Sequence, residues 1–588
     1  MTREETQTEN GPRLPVGYYL ANFELALDTV LQRDATLFDN RETNRFEIFR
    51  STPLVARRLA VRLFTRLPGW HRVSQLNYDE IPDTRGVCEL LRERDLLLAY
   101  DGSGDMLSEI SNRLRAAECR LLLKEAGIHP KGKVADLRSQ VVCGVDSDRL
   151  LALDSFVRLV DRDLYRRVML LFFANRRQNL SDFVVRDIGN LRYEHITLSS
   201  LRLFDRREHA VNCLSWADWR DDVFAAYEDG NERALEEAAE TALENIESYH
   251  FDGCSDRGRA LLMRPLVTLI RNAAAGLERG GRYEEAISMY LRLLACDIRG
   301  EARNHATQCL LIDLEKDRRK TQALRTTERA LAEVTDPVFK HDLNKRRARL
   351  ARRTKCYAQP APKLMKPAEV RFRAVRLPTE AGIRHRFVSG SDEASLVEKT
   401  ALRCYSEAYG YQGAHVENAL PGALMAACFW DIIYMAAPGA FLHEFQSGPL
   451  DWGGASFYHE RERPIRDRLK EIRQDGHRER AMGVLSDKAG IVNPLFSWNS
   501  ISPDIIERTL QVWPGPSLAP CLEAMVKNAN GWGRGFPDLI LFDCSGGFVI
   551  TEVKGPGDKV ADAQALWFDL LLRNNVRVEL CHIEADPI

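Results

Sequence analysis

The chain has 588 residues, too many for one hydrophobic core, so three or four domains are expected. Its 45% hydrophobic and 29% charged content is that of an ordinary water-exposed globular protein. The 83 Lys+Arg against 85 Asp+Glu leave a formal net charge of −2, which excludes a uniformly basic nucleic-acid coat and leaves phosphate binding to local patches.

Residues 1–15 open with MTREETQTEN, a polar stretch with no apolar run, and are expected to form a disordered tail without a secretion signal. Residues 16–219 show mostly helical spacing. Within them, LPGWHRVSQLNYDEIPDTRGVCELLRERDLLLAY alternates short strand-like and helical pieces, as in a small winged-helix unit. Next, LRAAECRLLLKEAGIHPKGKVADLRSQVV pairs two helices around a turn with the basic corner Lys131-Gly132-Lys133, which resembles a SAP-type DNA-binding module; a plain helical hairpin is the alternative. Residues 220–355 look all-helical, and GRYEEA resembles a tetratricopeptide helix pair without a clean 34-residue repeat. An acidic stretch, 227–253, is followed by a basic one: from Lys340 to Arg376 thirteen basic residues face two acidic ones. A basic run of this kind is either a phosphate-tracking patch or a solvated helix face. The longest apolar runs, such as LMAACFWDIIYMAA, are too short or too interrupted to span a bilayer. Thirteen cysteines with no C-x-x-C pair argue against structural zinc and for reduced thiols in the cytoplasm. No G-x-x-x-x-G-K-[ST] loop occurs, so ATP use is not expected.

The proline-rich CYAQPAPKLMKPA, 356–368, denies helix and marks a linker. Residues 369–588 then read as one α/β domain with helical insertions. FPDLILF and GFVITEV are β-branched, apolar runs around the turn signal DCSGG, which predicts an antiparallel hairpin. DKVADAQALWFDLLLRN follows with helical spacing at Ala563, Leu566 and Leu570, and VRVELCHI closes as a strand. The order β–β–α–β is that of the PD-(D/E)XK nuclease core. Asp538 and Glu552 stand 14 residues apart, and Lys554 follows Glu552 by two. Residues i and i+2 of a strand share a face, so Glu552 and Lys554 point to one site that Asp538 can reach from the partner strand. Two carboxylates and a backbone carbonyl suit Mg²⁺ or Mn²⁺, and a lysine beside them suits orienting or deprotonating a water. The alternative is a structural ion pair on an edge strand.

These residues, with CYSEAYGYQGAHVENALPGALMAACFWDIIYM upstream, resemble the VRR-NUC domain of the Fanconi-associated nuclease family. The resemblance is strongest over about 400 to 588. It implies a metal-dependent, structure-selective nuclease of 5′ flaps and DNA ends, both endonuclease and 5′-directed exonuclease, linked to interstrand-crosslink repair. It implies that Glu417, Asp538, Glu552 and the Val553 carbonyl bind Mg²⁺ or Mn²⁺ and that Lys554 serves the water. Gln564 is expected either near the metal-bound water or as an amide bonding the hairpin, and Arg534 beside the scissile strand. The family's basic pocket for a 5′-terminal phosphate matches Arg299 and Arg303, set at i and i+4 as if on one helix face, with Lys340, His341, Arg346 and Arg347 as further candidates; two unrelated surface arginines are the alternative. Ala563 departs from the lysine of some relatives. The implied partner is branched or flapped DNA with a 5′ phosphate, met by a monomer or a DNA-induced dimer, with no membrane. The implied location is the cytoplasm or nucleoid of a bacterium, since no Cys/His cluster like the zinc finger of the nuclear eukaryotic relatives is seen. A junction resolvase and a non-catalytic DNA-binding scaffold are the competing readings.

Overall fold

The computed structural model describes residues 15–102, 106–178, 180, 191–357, 359–377, 387–388 and 395–586, so residues 1–14 of the expected tail lie outside the described residues. The chain forms two compact units. The first holds Met1–Leu191, Arg202–Ser215 and Asp252–Leu262; the second holds Arg192–Leu201, Trp216–Phe251 and Met263–Ile588.

In the first unit, three short strands form an antiparallel sheet: β1 (His71–Arg72), β2 (Leu97–Ala99) and β3 (Phe156–Leu159), in the order β1–β3–β2. Helix α1 (Thr84–Glu93) starts where the Asp83 carboxylate accepts the Gly86 N–H at 2.9 Å, an N-cap. The central strand β3 comes from beyond the helical hairpin α2 (Ala116–Glu125) and α3 (Val134–Gly144), so the winged-helix-like and SAP-like stretches are not consecutive modules: the second is threaded between two strands of the first. Buried Arg72 on β1 reaches Asp154 at 3.0 Å and Glu118 of α2 at 2.5 Å, tying sheet to hairpin. Lys131, Gly132 and Lys133 form the exposed turn between α2 and α3, with Gly132 at φ 93.

In the second unit, α4 (Tyr283–Ala295), α5 (Gly300–Lys316), α6 (Lys320–Glu333) and α7 (Pro337–Thr354) pack in sequence around Ile287, Tyr290, Leu310, Leu324 and Leu343. The preceding helix, Asp256–Arg279, is long and apolar enough to cross a bilayer by length and composition, yet 61% of its apolar window is buried in the protein. α7 opens with Pro337 in its first turn and the Asp336 carboxylate accepting the Phe339 N–H at 2.7 Å. The basic run 340–376 is no single helix face: α7 ends at Thr354 with Lys355 at φ 58, and the rest enters a strand. The linker segment is fastened down, with Met365 N–H on Asp569 at 2.8 Å.

A six-stranded sheet follows: β4 (Ala368–Arg376), β5 (Phe387–Val388), β6 (Gln412–His415), β7 (Leu539–Phe542), β8 (Phe548–Lys554) and β9 (Val578–Asp586), in the order β5–β4–β9–β8–β7–β6. β4, β9 and β8 run parallel and the other neighbours antiparallel. On one face Leu539, Leu541, Val549 and Val553 pack with Ala401 and Tyr405 of α8 (Val397–Tyr409). On the other, Ile540, Phe542 and Ile550 join a larger core with α9 (Ala419–Ile433) and α10 (Asp562–Arg573). The apolar run LMAACFWDII is thus a buried core helix.

Candidate active site

The β7–β8 hairpin is closed by the Asp543 carboxylate, which accepts the Ser545 N–H at 2.9 Å and the Gly547 N–H at 2.7 Å; Gly546 takes φ 87. Its register pairs Ile540 with Ile550 and Leu539 with Thr551. One step further sets Asp538 opposite Glu552, and strand alternation puts both, with Lys554, on the face that α10 covers.

Glu552 forms the floor of the site at 1% exposure. Its Oε1 lies 2.8 Å from Lys554 Nζ and accepts from Gln564 Nε2, while Oε2 is buried without a hydrogen-bond partner. Burial first, then the Asp538 charge, push the Glu552 carboxyl up to about 7, against the pull of Lys554. The Asp538 carboxyl is also raised, chiefly by burial and further by Glu398 and Glu417. The Val553 N–H, 2.8 Å from its Oδ2, opposes that rise, as does Lys554. Because a strand residue's N–H and C=O leave by the same edge, the Val553 carbonyl also faces the Asp538 side.

Glu417 arrives from the chain leaving β6. Asp538 O accepts from Val416 N–H at 2.7 Å and from Glu417 N–H at 3.2 Å, which fixes Glu417 beside Asp538. Glu417 sits at φ 36, a left-handed conformation that costs a non-glycine residue on the order of 1 kcal/mol and clusters at functional sites. Its Oε1 lies 3.2 Å from His415 Nε2, and ligand atoms of His415, Glu417 and Asp538 lie within 4.8 Å of one another. A buried carboxylate oxygen with no partner, next to a second acid and under a third, is a donor set that fits a hard divalent cation.

Gln564, in the first turn of α10, joins the two halves of the site. Its Oε1 accepts from Lys554 Nζ at 3.1 Å and from Ala561 N–H at 2.9 Å, while its amide donates to Glu552. The buried face of α10 is Trp567, Phe568 and Leu571, not the stripe Ala563, Leu566, Leu570, because Ala563 meets the loop before β7 instead. There Gly535, at φ 83, comes so close that a Cβ would lie 2.7 Å from Ala563 Cβ. Arg534 O accepts from Trp567 Nε1 at 3.2 Å, which leaves the exposed Arg534 side chain at the rim.

The more distant basic residues are mostly engaged one by one by other groups of the protein. Arg299 is the N-cap of α5 and not within it, so Arg299 and Arg303 do not share one helix face. Arg299 pairs with Asp297 at 2.9 Å, whereas Arg303 pairs with Glu333 at 2.7 Å. Arg346 binds Glu315 at 2.6 Å, Arg347 donates to Asn344 at 3.0 Å, and Lys340 is exposed. His341 lies 4.0 Å from Asp562 and the neighbouring Lys345 2.9 Å from it, so α7 adjoins the catalytic-face helix α10. Sequence reasoning missed Glu398, His415 and Lys345. Only His415 carried a local signal, two residues ahead of Glu417.

The VRR-NUC domain profile matches residues 472–585, and the FAN1 HTH domain profile matches 17–97. The chain is 26% identical to the Fanconi-associated nuclease 1 homolog of Pseudomonas aeruginosa over 98% of this chain and 97% of that protein. It is also 26% identical to the homolog of Arabidopsis thaliana and 25% to Fanconi-associated nuclease 1 of Homo sapiens, spanning 67% and 64% of their lengths. Its fold is similar to the crystal structure of paFAN1 bound to 5′-flap DNA with a 2-nucleotide flap and a gap: TM-score 0.79 at 23% identity, over 98% of this chain and all of that one. With a PD-(D/E)XK core assembled at its C-terminal sheet, the chain carries a VRR-NUC domain and a FAN1 HTH domain and is similar along its length to the Fanconi-associated nucleases.

Proposed function

We propose that the protein is a divalent-metal-dependent DNA nuclease that selects 5′ flaps and DNA ends and serves interstrand-crosslink repair. The observation that carries this reading is the partnerless, buried Glu552 Oε2 facing Asp538 in a site closed by Lys554 and Gln564. Glu417, Asp538, Glu552 and the Val553 carbonyl would hold Mg²⁺ or Mn²⁺. When bound, the ion supplies charge neutralisation at the scissile phosphate and lowers the pKa of an attacking water.

The chain's own residues do the rest. Lys554 has three donor hydrogens and spends two on Glu552 and Gln564, which leaves one for the water or a phosphate oxygen. Gln564 fixes that ammonium and the Glu552 carboxylate together, so their spacing is set before substrate arrives. Arg534 meets the scissile strand from the rim. α7 carries Lys340, Lys345, Arg347, Arg352 and Arg353, of which Lys345 reaches α10 at Asp562, and tracks the phosphate backbone, with no base-reading geometry required. Arg299 and Arg303 grip the 5′ phosphate by exchanging Asp297 and Glu333 for it. The solved relatives with 5′-flap DNA support the substrate class. Such a nuclease works where DNA is, in a bacterial nucleoid or a nucleus.

End-labelled flap, nicked and four-way DNA, incubated with Mg²⁺, Mn²⁺ or excess chelator, tests the proposal. Metal-dependent cutting that favours the flap is expected. Cutting that survives full chelation overturns it.

A further inference from the structure

His415 stands at the mouth of the acid cluster, with ligand atoms of its ring, Glu417 and Asp538 within 4.8 Å of one another. It ends β6, where it pairs with Leu539 across the strand, and so stands beside the residue that follows Asp538. Two residues later the chain turns through Glu417 at φ 36 and is pinned by the two amide bonds to Asp538 O. Those bonds fix the Glu417 backbone but leave its side chain, half exposed, with rotatable bonds free. The only group within hydrogen-bonding reach of its carboxylate among the described residues is His415 Nε2, at 3.2 Å from Oε1. The arrangement converges on a ligand, because Glu552 Oε2, 1% exposed at residue level and partnerless, lies deeper in the same site next to Asp538.

Resting on the nuclease reading above, we infer that His415 is a positioning residue: its Nε2, 3.2 Å from Oε1, steadies the Glu417 carboxylate beside Asp538, so that these acids meet a divalent ion already in place. A flexible exposed glutamate would otherwise lose side-chain entropy on each binding event. A side chain held against a metal-binding carboxylate gives outer support of the kind whose loss lowers metal affinity roughly 10–100-fold. The strained backbone at Glu417 has the same logic, as it aims the residue that His415 then locks.

The test is Mn²⁺ binding to the full chain without DNA, measured by titration calorimetry and by electron paramagnetic resonance of free Mn²⁺. It compares the wild type, His415→Ala, His415→Gln and Asp538→Asn, with flap cleavage followed in parallel. His415→Ala is expected to raise the Mn²⁺ Kd about 10-fold or more with an unchanged melting temperature, since His415 is 44% exposed. His415→Gln keeps an N–H donor at similar reach and is expected to recover most of the affinity, and cleavage of both variants to approach wild type at saturating Mn²⁺. Wild-type Mn²⁺ affinity in His415→Ala overturns the inference, as does a His415→Gln no better than alanine, which would make the imidazole itself a ligand. If the wild type binds no Mn²⁺ that Asp538→Asn weakens, the metal-dependent reading fails instead, and the two failures are distinct. Should His415→Ala not fold, the glutamine variant alone decides, by matching or missing the wild-type Kd.

Discussion

Lys554 sits 2.8 Å from Glu552 Oε1 and 3.1 Å from Gln564 Oε1, nearly buried, so its charge is held by geometry rather than by solvent. Replacing it with alanine leaves Glu552 without its cation, and flap cleavage should fall by about 100-fold or more while flap affinity stays near wild type in a gel-shift titration. Gln564→Ala removes a group that touches both partners and should cost roughly 10–100-fold in single-turnover rate, with the loss in rate rather than in DNA affinity. The trio Asp538, Glu552 and Lys554 is legible in the sequence because strand alternation alone puts i and i+2 on one face, and a two-strand hairpin is a local structure. Glu398 and His415 are not, because their approach depends on α8 and on β6 pairing with β7 from more than a hundred residues away. No periodicity within one segment encodes such a pairing.

At the scale of elements, α10 is held on three sides: by the sheet beneath, by Gly535 at its first turn, and by Lys345 of α7 on Asp562. Gly535→Ala would place a Cβ 2.7 Å from Ala563 in a left-handed backbone, and is expected to destabilise the domain by about 1–3 kcal/mol in urea unfolding. The helix itself was foreseeable from its spacing, but its buried stripe was not. Trp567 and Phe568 face inward because the loop carrying Gly535 claims the Ala563 side. Within the helical layers, Asp313 of α5 is fully buried with both carboxylate oxygens lacking a partner. Burial chiefly, and the nearby Glu278 charge, raise its carboxyl from the usual 3.8 to about 7. The folded state therefore holds a proton that the unfolded chain releases near pH 4. The contribution to stability is present below that point and is lost as pH climbs through about 7. Asp313→Asn should flatten that slope and raise stability at pH 8 by roughly 1–3 kcal/mol, read from melting curves at pH 5 and 8.

Over the whole molecule, a net charge of −2 conceals a strong separation of sign. The stretch 227–253 is rich in acids, whereas α7 is rich in cations and sets Lys345 on Asp562 of α10. DNA affinity should therefore fall steeply with salt despite the near-neutral total. Reversing Arg352 and Arg353 to glutamate should lower the slope of log K against log salt by about 2 while leaving single-turnover cleavage of saturated substrate largely intact. Double replacement of Arg299 and Arg303 by alanine should erase any difference between substrates with and without a 5′ phosphate, as read from cut positions on sequencing gels. The six-stranded sheet carries a consequence for biosynthesis. Its interior strand β9 lies between β4 and β8, yet it is the last of the six in chain order. A ribosome that has delivered Asp538, Glu552 and Lys554 has still not delivered the strand that joins β4 to them, so the nascent polypeptide carries every acid of the site while its scaffold is open. Cutting competence is then expected only once translation has passed β9 and the sheet can close.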